Sequence, residues 1–191
     1  MLSVAQWNVS SGLWGGRCSN IISSDTTMCV SVGGHSIMKK SNDENWNHSC
    51  DVWGKLYALD SCFILLPFYG PPIKRSFDQG TSWESVDLLG VHDLAVAENI
   101  LFAHNGVNQM IYRSDDFGDT FELISEELSP CEFDELFADD SLLFILDRYE
   151  CERIFTSINL GETWDSLSYD GLSPSVYDYY QCFEVFNNKL L

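Results

Sequence analysis

Short apolar runs alternate with polar turns along the whole chain. The apolar runs have the length of β-strands and meet at polar turns around Asp25, Asp60, Glu98, Asp140 and Asn188. Two such runs on either side of a polar turn are typical of a β-hairpin, as in residues 93–96 followed by 100–102. The pattern therefore predicts an all-β protein built from successive hairpins.

A polar motif follows each of the first four hairpins at a nearly constant distance. Three segments, 76–83, 114–121 and 157–164, fit the pattern S-x-[DN]-x-G-x-[TS]-[WF], and we call them boxes. A degenerate box at 41–46 keeps the Ser, the Asp and the Trp but lacks the Gly. The four boxes begin 16, 16, 16 and 17 residues after the turn residues Asp25, Asp60, Glu98 and Asp140.

Each residue type of the box suits a tight turn between two strands. We expect the Asp or Asn oxygen to accept hydrogen bonds from N–H groups two residues ahead, and the Gly to supply a positive φ. The Ser and Thr hydroxyls close the turn, and the aromatic residue begins the next strand and points into the core. The predicted structural residues are Ser76, Asp78, Gly80, Trp83, Ser114, Asp116, Gly118, Thr120, Phe121, Ser157, Asn159, Gly161, Thr163 and Trp164.

Hairpin and box together define a repeat of four strands, in which the third strand ends at the box Ser. Four antiparallel strands in about 35 to 45 residues are typical of a β-propeller blade. The chain accommodates four complete blades, and strand-like segments at 5–9 and 181–191 predict a split or truncated fifth. We therefore expect residues 1–191 to form one β-propeller domain or a fragment of one, and the missing strands favour a truncated chain.

The boxes resemble those of the Asp-box propellers, also called bacterial neuraminidase repeats. Residues 111–121 and 154–164, with the acidic stretch at 146–153, are most similar to sortilin-type receptor propellers. This resemblance implies a non-enzymatic module that presents its blade-connecting loops to a protein or peptide ligand, in a receptor or sorting role.

Charge and hydropathy restrict the partners. The 29 acidic residues outnumber the 10 Lys and Arg and give a net charge of -19, which repels phosphate backbones and argues against nucleic acid. No run approaches the roughly 20 apolar residues of a membrane span, so we expect no direct membrane insertion. The partner is then a protein or a peptide.

Candidate catalytic groups are not distinguishable in the sequence. Arg75 and Arg113 occupy the same repeat position before the box Ser, which indicates repeat-surface residues rather than the arginine cluster of a sialidase. His35, His48, His92 and His104 are scattered through separate turns and strands, and we expect them to be loop or surface residues. No Cys/His spacing of a metal site occurs. We predict no catalytic residue, no cofactor and no metal. The alternatives are a fragment of a sialidase-like or xyloglucanase-like glycoside hydrolase, and an assembly factor similar to the photosystem II assembly propellers.

Cysteines and sequons bear on the cellular compartment. Cys131 and Cys151 are equidistant from Ser141, so a hairpin would place them opposite each other, as a disulfide or as two free thiols. The sequons at Asn8 and Asn47 are candidate glycosylation sites. These features favour the secretory pathway, with a cytoplasmic location as the alternative. Other buried apolar cysteines are expected in second strands, at Cys29 and Cys62.

Overall fold

Sixteen β-strands make up the regular structure of the described residues. The computed structural model describes residues 18–24, 26–33, 35–40, 45–70, 72–125, 128, 135–147 and 153–168. The strands are β1 (Cys18–Ser23), β2 (Thr27–Val32), β3 (His35–Lys40), β4 (Asn47–Cys50), β5 (Gly54–Ala58), β6 (Phe63–Pro67), β7 (Lys74–Ser76), β8 (Glu84–Ser85), β9 (Val91–Ala97), β10 (Ile100–Asn105), β11 (Met110–Ser114), β12 (Glu122–Leu123), β13 (Glu135–Asp139), β14 (Leu142–Asp147), β15 (Arg153–Ser157) and β16 (Asp165–Ser168).

The strands form four sheets, and each sheet is one predicted blade. Strands β1–β4, β5–β8, β9–β12 and β13–β16 each pair in sequence order, and every pairing is antiparallel. The third strands β7, β11 and β15 end at Ser76, Ser114 and Ser157. The all-β prediction of four-stranded antiparallel blades is therefore confirmed, and we number the blades 1 to 4 in chain order.

Burial explains why the apolar runs fall on the second strand of each blade. In β10 of blade 3, Leu101, Phe102 and Ala103 are fully buried, because this strand has neighbours on both sides. The short outer strands β8 and β12 are exposed along their length. A continuous apolar run of this length is typical of a fully buried strand, whereas an outer strand tolerates polar residues.

The chain divides into two compact units, Met1–Glu84 and Ser85–Leu191. In the first unit, Cys29, Leu56, Phe63 and Leu65 form a buried apolar cluster. In the second, the larger cluster contains Ala95, Ala97, Phe102, Ile111, Leu128, Leu136, Leu143, Ile145 and Phe155. Each unit therefore has its own core.

Polar side chains tie the first strands of consecutive blades together within each unit. The Asn20 side chain donates from Nδ2 to the Leu56 carbonyl (2.6 Å) and accepts from the Leu56 N–H at Oδ1 (2.9 Å). In the second unit, Asp93 Oδ2 accepts from the Leu136 N–H at 3.1 Å. In both cases the side chain takes the place of a neighbouring strand, because it is the hydrogen-bond partner of backbone groups that would otherwise have none.

Several sequence predictions lie outside the described residues. These are the split fifth blade, the proposed pair Cys131 and Cys151, the sequon at Asn8 and residues 41–44 of the degenerate box. They stay predictions, as does the assignment of 1–191 to one domain.

Candidate functional site

Antiparallel connectivity gives every blade two different edges. The turn between strands one and two and the box between strands three and four lie at one edge, which we call the box edge. The loop between strands two and three and the connection to the next blade lie at the other, which we call the loop edge. The box turns of blades 2, 3 and 4 therefore all lie at the same edge of their blades.

The box serine organises the turn from a buried position. Ser76 Oγ accepts from the Gly80 N–H (2.7 Å) and donates to Asp78 Oδ1 (2.9 Å). The boxes of blades 3 and 4 repeat both bonds at 2.8 to 2.9 Å. One hydroxyl therefore satisfies a buried backbone N–H and fixes the box carboxylate or amide.

The box Asp or Asn reaches further along the chain than the predicted two residues. Its Oδ1 accepts from the backbone N–H four residues ahead, at 2.7, 2.9 and 3.0 Å in blades 2, 3 and 4. In the two Asp boxes, Oδ2 also accepts from the hydroxyl of that residue, Ser82 or Thr120, at 2.6 Å. The prediction of a two-residue reach is wrong, because two consecutive left-handed residues fold the chain back over the carboxylate.

The box glycines have the positive φ that their type predicts, with values of 86°, 91° and 88° at Gly80, Gly118 and Gly161. The preceding residue is left-handed as well, with φ of 59° at Gln79, 58° at Phe117 and 56° at Leu160. The sequence did not indicate this second position, because its residue types do not share a preference for that region.

The box tryptophans lie just before the fourth strand and join consecutive blades. Trp83 Nε1 donates to Ser49 Oγ of blade 1 at 2.8 Å, and Trp164 Nε1 donates to the Ile124 carbonyl at 3.0 Å. Both rings are half-buried and pack against the clusters of their units. Phe121, the third box aromatic, has no N–H to donate and is also half-buried.

Hydrogen bonding holds the box carboxylates ionised. Donation from the Thr120 hydroxyl and N–H lowers the pKa of Asp116 from 3.8 to about 2. Burial alone would raise the pKa of Asp78, but the Ser82 hydroxyl and N–H and the Ser76 hydroxyl outweigh burial and lower it. A hydrogen-bonded carboxylate of this kind stabilises the turn only while it is charged.

Acidification is therefore expected to destabilise the protein below about pH 4. The pKa of Asp116 is lower in the folded chain than in the unfolded chain. The stabilisation that its carboxylate gives to the folded chain is therefore complete above pH 3.8 and is lost as the pH falls through about 2. Urea unfolding at pH 5, 4, 3 and 2.5 measures the effect. The double variant Asp78→Asn/Asp116→Asn is the control, since Asn159 already makes the same Oδ1 bond in blade 4. If the free energy of unfolding of this variant fell as steeply with decreasing pH as that of the wild type, the box aspartates would not be the groups responsible.

A shallow cleft of about 210 Å³ lies beside the box of blade 2. Arg75 Nε donates to Glu84 Oε1 at 2.7 Å, and the Arg75 guanidinium lies 5.2 Å from the centre of the Phe77 ring. The lining residues are Arg75, Ser76, Phe77, Asp78, Ser82, Trp83 and Glu84. In this cleft, the ion pair of Arg75 and Glu84 joins β7 to β8, and Asp78 is hydrogen-bonded within the box.

Three aromatic residues lie at the loop edge of blade 2, and we call them the aromatic edge: Trp53, Phe68 and Tyr69. The Trp53 and Phe68 rings pack edge to face with centroids 4.8 Å apart. Tyr69 is 83% exposed, although a residue of this size and type is ordinarily half-buried or more. Trp53 Nε1 is buried and has no hydrogen-bond partner among the described residues.

Charged and ionisable groups also lie at the loop edges of blades 1 and 2. His48 Nε2 and Asp51 Oδ1 are 2.8 Å apart, and the His35 and His48 rings have centroids 6.2 Å apart. Lys55 follows the first residue of β5 and Lys74 begins β7, so both lie at the loop edge. His35 and His48 are 13 residues apart in the sequence. The β3–β4 register places Ile37 opposite His48 and so brings His35 close to His48.

The second unit carries another histidine pair at the loop edge of blade 3. The His92 and His104 rings are 5.8 Å apart, and His104 Nε2 lies 3.2 Å from Gln109 Oε1. His104 is 1% exposed, which corrects the prediction that all four histidines are loop or surface residues. Leu89 and Val107 are 74% and 83% exposed in neighbouring loops.

Two of the described cysteines are buried thiols that stay protonated at neutral pH. Burial raises the pKa of Cys29 to about 12 and that of Cys62 to about 11, in line with their prediction as buried apolar residues. Cys18 and Cys50 are also unpaired thiols. Within the described ranges, no three His, Cys, Asp or Glu side chains are grouped to hold a metal ion. Asn47 is exposed at the start of β4, and its glycosylation stays a prediction.

No helix in the described part of the chain is long and apolar enough to cross a membrane.

Comparisons with known proteins bear on the fold. No protein-family model and no curated protein matches the sequence. Among solved structures, YCF48 from Cyanidioschyzon merolae matches with a TM-score of 0.58 at 12% identity, over 80% of this chain and 56% of that one. YCF48 bound to D1 peptide matches with a TM-score of 0.58 at 15% identity, over 80% and 54%.

Two further structures have the same architecture. The GH74 enzyme of Niastella koreensis matches with a TM-score of 0.55 at 15% identity, over 73% of this chain and 22% of that one. Human WBSCR16 matches with a TM-score of 0.58 at 10% identity, over 83% and 54%. This chain thus spans about half the length of YCF48 and WBSCR16. The four four-stranded sheets and these matches identify the fold as a β-propeller.

Proposed function

We propose that the chain is a non-enzymatic binding module that presents its loop edge to a protein or peptide ligand. The aromatic edge carries this proposal, because Tyr69 is 83% exposed and Phe68 38% exposed beside a half-buried Trp53. Tyr and Trp are enriched in interfaces, where they bury much area at small entropic cost. YCF48 bound to D1 peptide supports a peptide as a ligand for this fold.

The finer role that we propose is sorting, as in the sortilin-type receptors, with the chain in the secretory pathway. It rests on the resemblance of residues 111–121 and 154–164 to the boxes of those receptors. An assembly role is the second candidate, and it is favoured by the peptide complex of YCF48. Both roles need the same recognition of a peptide segment.

Hydrolysis is less well supported by the described carboxylates. A glycoside hydrolase needs one carboxyl group with a raised pKa as general acid. In the boxes, hydrogen bonds lower the pKa of Asp78 and Asp116, the opposite of what a general acid needs. Their proton is unavailable at neutral pH, and their oxygens are held by the turn.

Replacing Tyr69 by Ser is expected to weaken peptide binding about 10-fold to 30-fold, as truncation of an exposed aromatic anchor does in other interfaces. The probe is a set of 12-residue peptides selected from a random phage-displayed library on the immobilised full chain. Affinities are measured by isothermal titration calorimetry.

Val107→Ser is the matched control, because Val107 is also 83% exposed and lies in the equivalent loop of blade 3. It should leave the affinity unchanged. If Val107→Ser weakens binding and Tyr69→Ser does not, the ligand binds the second unit. If no peptide is selected, the proposed function is wrong.

A further inference from the structure

We infer that a second interaction surface, on blade 3, takes a segment of another protein that combines apolar side chains with Lys or Arg. The surface consists of Leu89 and Val107 with the loops that carry them, 86–90 and 106–109, and we call it the aliphatic platform. It lies at the loop edge of blade 3, in the second unit, whereas the proposed function places its ligand at the aromatic edge of blade 2. The inference therefore goes beyond the proposed function.

The two loops of the platform are neighbours because they continue the pairing of β9 with β10. Just beyond the last paired residue of β10, the Gly106 N–H donates to the Gly90 carbonyl at 2.9 Å. A Cβ added to Gly90 would lie 2.9 Å from Val107 Cγ2, so the Val107 side chain lies beside Gly90, the residue that follows Leu89. One ligand segment can therefore reach both aliphatic side chains.

One buried side chain holds both loops in place. Asn105 Nδ2 donates to the Leu89 carbonyl (2.8 Å), and Asn105 Oδ1 accepts from the Val107 N–H (2.9 Å) and the Asn108 N–H (3.3 Å). Asn105 is 8% exposed, so these bonds are shielded from water. A surface that is already held in one conformation loses little conformational entropy when a ligand binds.

The repeat itself does not require this arrangement. The pairing of each second strand with its box Ser places Asn105 in the same position as Pro67 of blade 2 and Asp147 of blade 4. Neither residue type can make the bonds of Asn105, because proline has no polar side chain and a carboxylate cannot donate. Among blades 2 to 4, the side chain that fixes the platform is therefore particular to blade 3.

The exposure of the platform is large for aliphatic side chains. Leu89 is 74% exposed and Val107 is 83% exposed. Single exposed aliphatic residues are common on protein surfaces, but neighbouring ones form an apolar patch, and such patches mark interaction sites. Ile158 in the box of blade 4 is 71% exposed and offers a comparison from the other edge of the same unit.

Acidic groups predominate at this edge of the second unit. The described charged residues at the loop edges of blades 3 and 4 are Asp87, Asp93, Glu135, Asp147 and Arg153. The sequence between β12 and β13 and between β14 and β15 adds six acidic residues and one Arg. No Lys or Arg occurs between Arg75 and Arg113. The field at the platform therefore attracts cationic side chains of a ligand.

Charge argues against two other occupants of the platform. A second copy of the chain has the same net charge of -19, and its own acidic loop edge would be repelled. An anionic bilayer is repelled for the same reason. A segment with basic residues beside apolar ones complements both the aliphatic side chains and the surrounding carboxylates.

The test selects 12-residue peptides from the random library on the Tyr69→Ser chain, in which the aromatic edge lacks its most exposed side chain. The expected peptides carry Leu, Ile or Phe together with Lys or Arg, and they bind wild type and Tyr69→Ser equally well. In the Tyr69→Ser background, Leu89→Ser and Val107→Ser should each weaken these peptides about 10-fold. Ile158→Ser is the matched control and should leave the affinity unchanged.

A second pair of substitutions tests the charge. Asp87→Asn should weaken the same peptides about threefold, the scale of one exposed charge pair. Glu98→Gln is the control, because Glu98 is exposed at the box edge of the same blade, beyond the seven residues of β9. At about 3.4 Å per residue this separation is roughly 24 Å, about three Debye lengths at physiological salt, so the affinity should not change.

Folding is checked by urea unfolding of each variant. Leu89→Ser and Val107→Ser remove exposed side chains, so their unfolding midpoints should equal that of Tyr69→Ser. A loss of binding is then a loss of contact with the ligand.

Three results would overturn the inference: no peptide selected on Tyr69→Ser, peptides that are acidic or uncharged, or peptides that bind equally well after both aliphatic substitutions. Each of them leaves the proposed function intact, because that function depends on the peptides that wild type binds and Tyr69→Ser does not. Conversely, a library that yields peptides only for the platform would overturn the proposed ligand site at the aromatic edge and support this inference.

Discussion

Replacing Gly54 by Ala is expected to destabilise the protein by about 3 kcal/mol or more, the range of severe overpacking against an immovable neighbour. A Cβ at this position would lie 1.9 Å from the Leu66 carbonyl oxygen, 2.6 Å from the Leu66 carbonyl carbon and 2.8 Å from Pro67 Cα. All three are backbone atoms of β6, which pairs with β5 through Gly54 and Pro67. The pairing must open before the methyl group can fit.

Gly70→Ala is the matched control for this substitution. Gly70 has a φ of +86° and no atom within 4 Å of an added Cβ, so only backbone strain opposes alanine, at about 1 kcal/mol. Urea unfolding of both variants gives the comparison. An equal or smaller loss for Gly54→Ala would mean that β5 and β6 do not pair in this register.

The blades could be predicted from the sequence because their signals are local. A box Ser, an Asp or Asn and a Gly within five residues specify one turn, and the residues that make its hydrogen bonds are all inside the motif. The end of β7 at Ser76 and that of β11 at Ser114 follow from it. The motif did not show that Asp78 accepts a hydrogen bond from the N–H four residues ahead. This bond depends on the left-handed conformation of Gln79 and Gly80 together.

The aromatic edge could not be predicted in the same way, because it depends on contacts between distant residues. Trp53 and Phe68 belong to a blade connection and to a loop, and they meet only when β5 and β6 are paired. The available signal in the sequence was a pair of adjacent aromatic residues followed by Gly-Pro-Pro, at 68–72. Likewise, the link from Asn20 to Leu56 spans 36 residues and follows from the packing of two blades.

The position that we propose for the ligand site, on the loop edge, has a physical reason. At the box edge, most polar atoms of the turns are committed to one another, as Asp78 and Asp116 accept from Ser, Thr and backbone groups. Such a turn is hard to change without loss of the blade. The loop edge has no repeated motif, so its residues are less constrained by the fold and more available for recognition.

The second large effect is expected for Gly161→Ala, which should lower the free energy of unfolding by about 2 to 3 kcal/mol. Gly161 has a φ of +88°, where an alanine is strained by about 1 kcal/mol. An added Cβ would also lie 2.4 Å from Ile124 Cδ1, a side chain of the preceding blade, and this crowding costs about 1 to 2 kcal/mol more.

Ile124→Ala tests the crowding, because it removes the atom that the new methyl group meets and keeps the Ile124 carbonyl that accepts from Trp164. In this background, Gly161→Ala should cost only about 1 kcal/mol, so that the double-mutant cycle gives a coupling of about 1 to 2 kcal/mol. Denaturant unfolding of the four proteins provides the cycle. Gly118 has a φ of +91°, and an added Cβ would lie 3.1 Å from Val86. The loss of stability for Gly118→Ala should therefore lie between the cost of backbone strain alone and the loss expected for Gly161→Ala. Additive losses for Gly161 and Ile124 would show that the box of blade 4 does not pack on blade 3 through this pair.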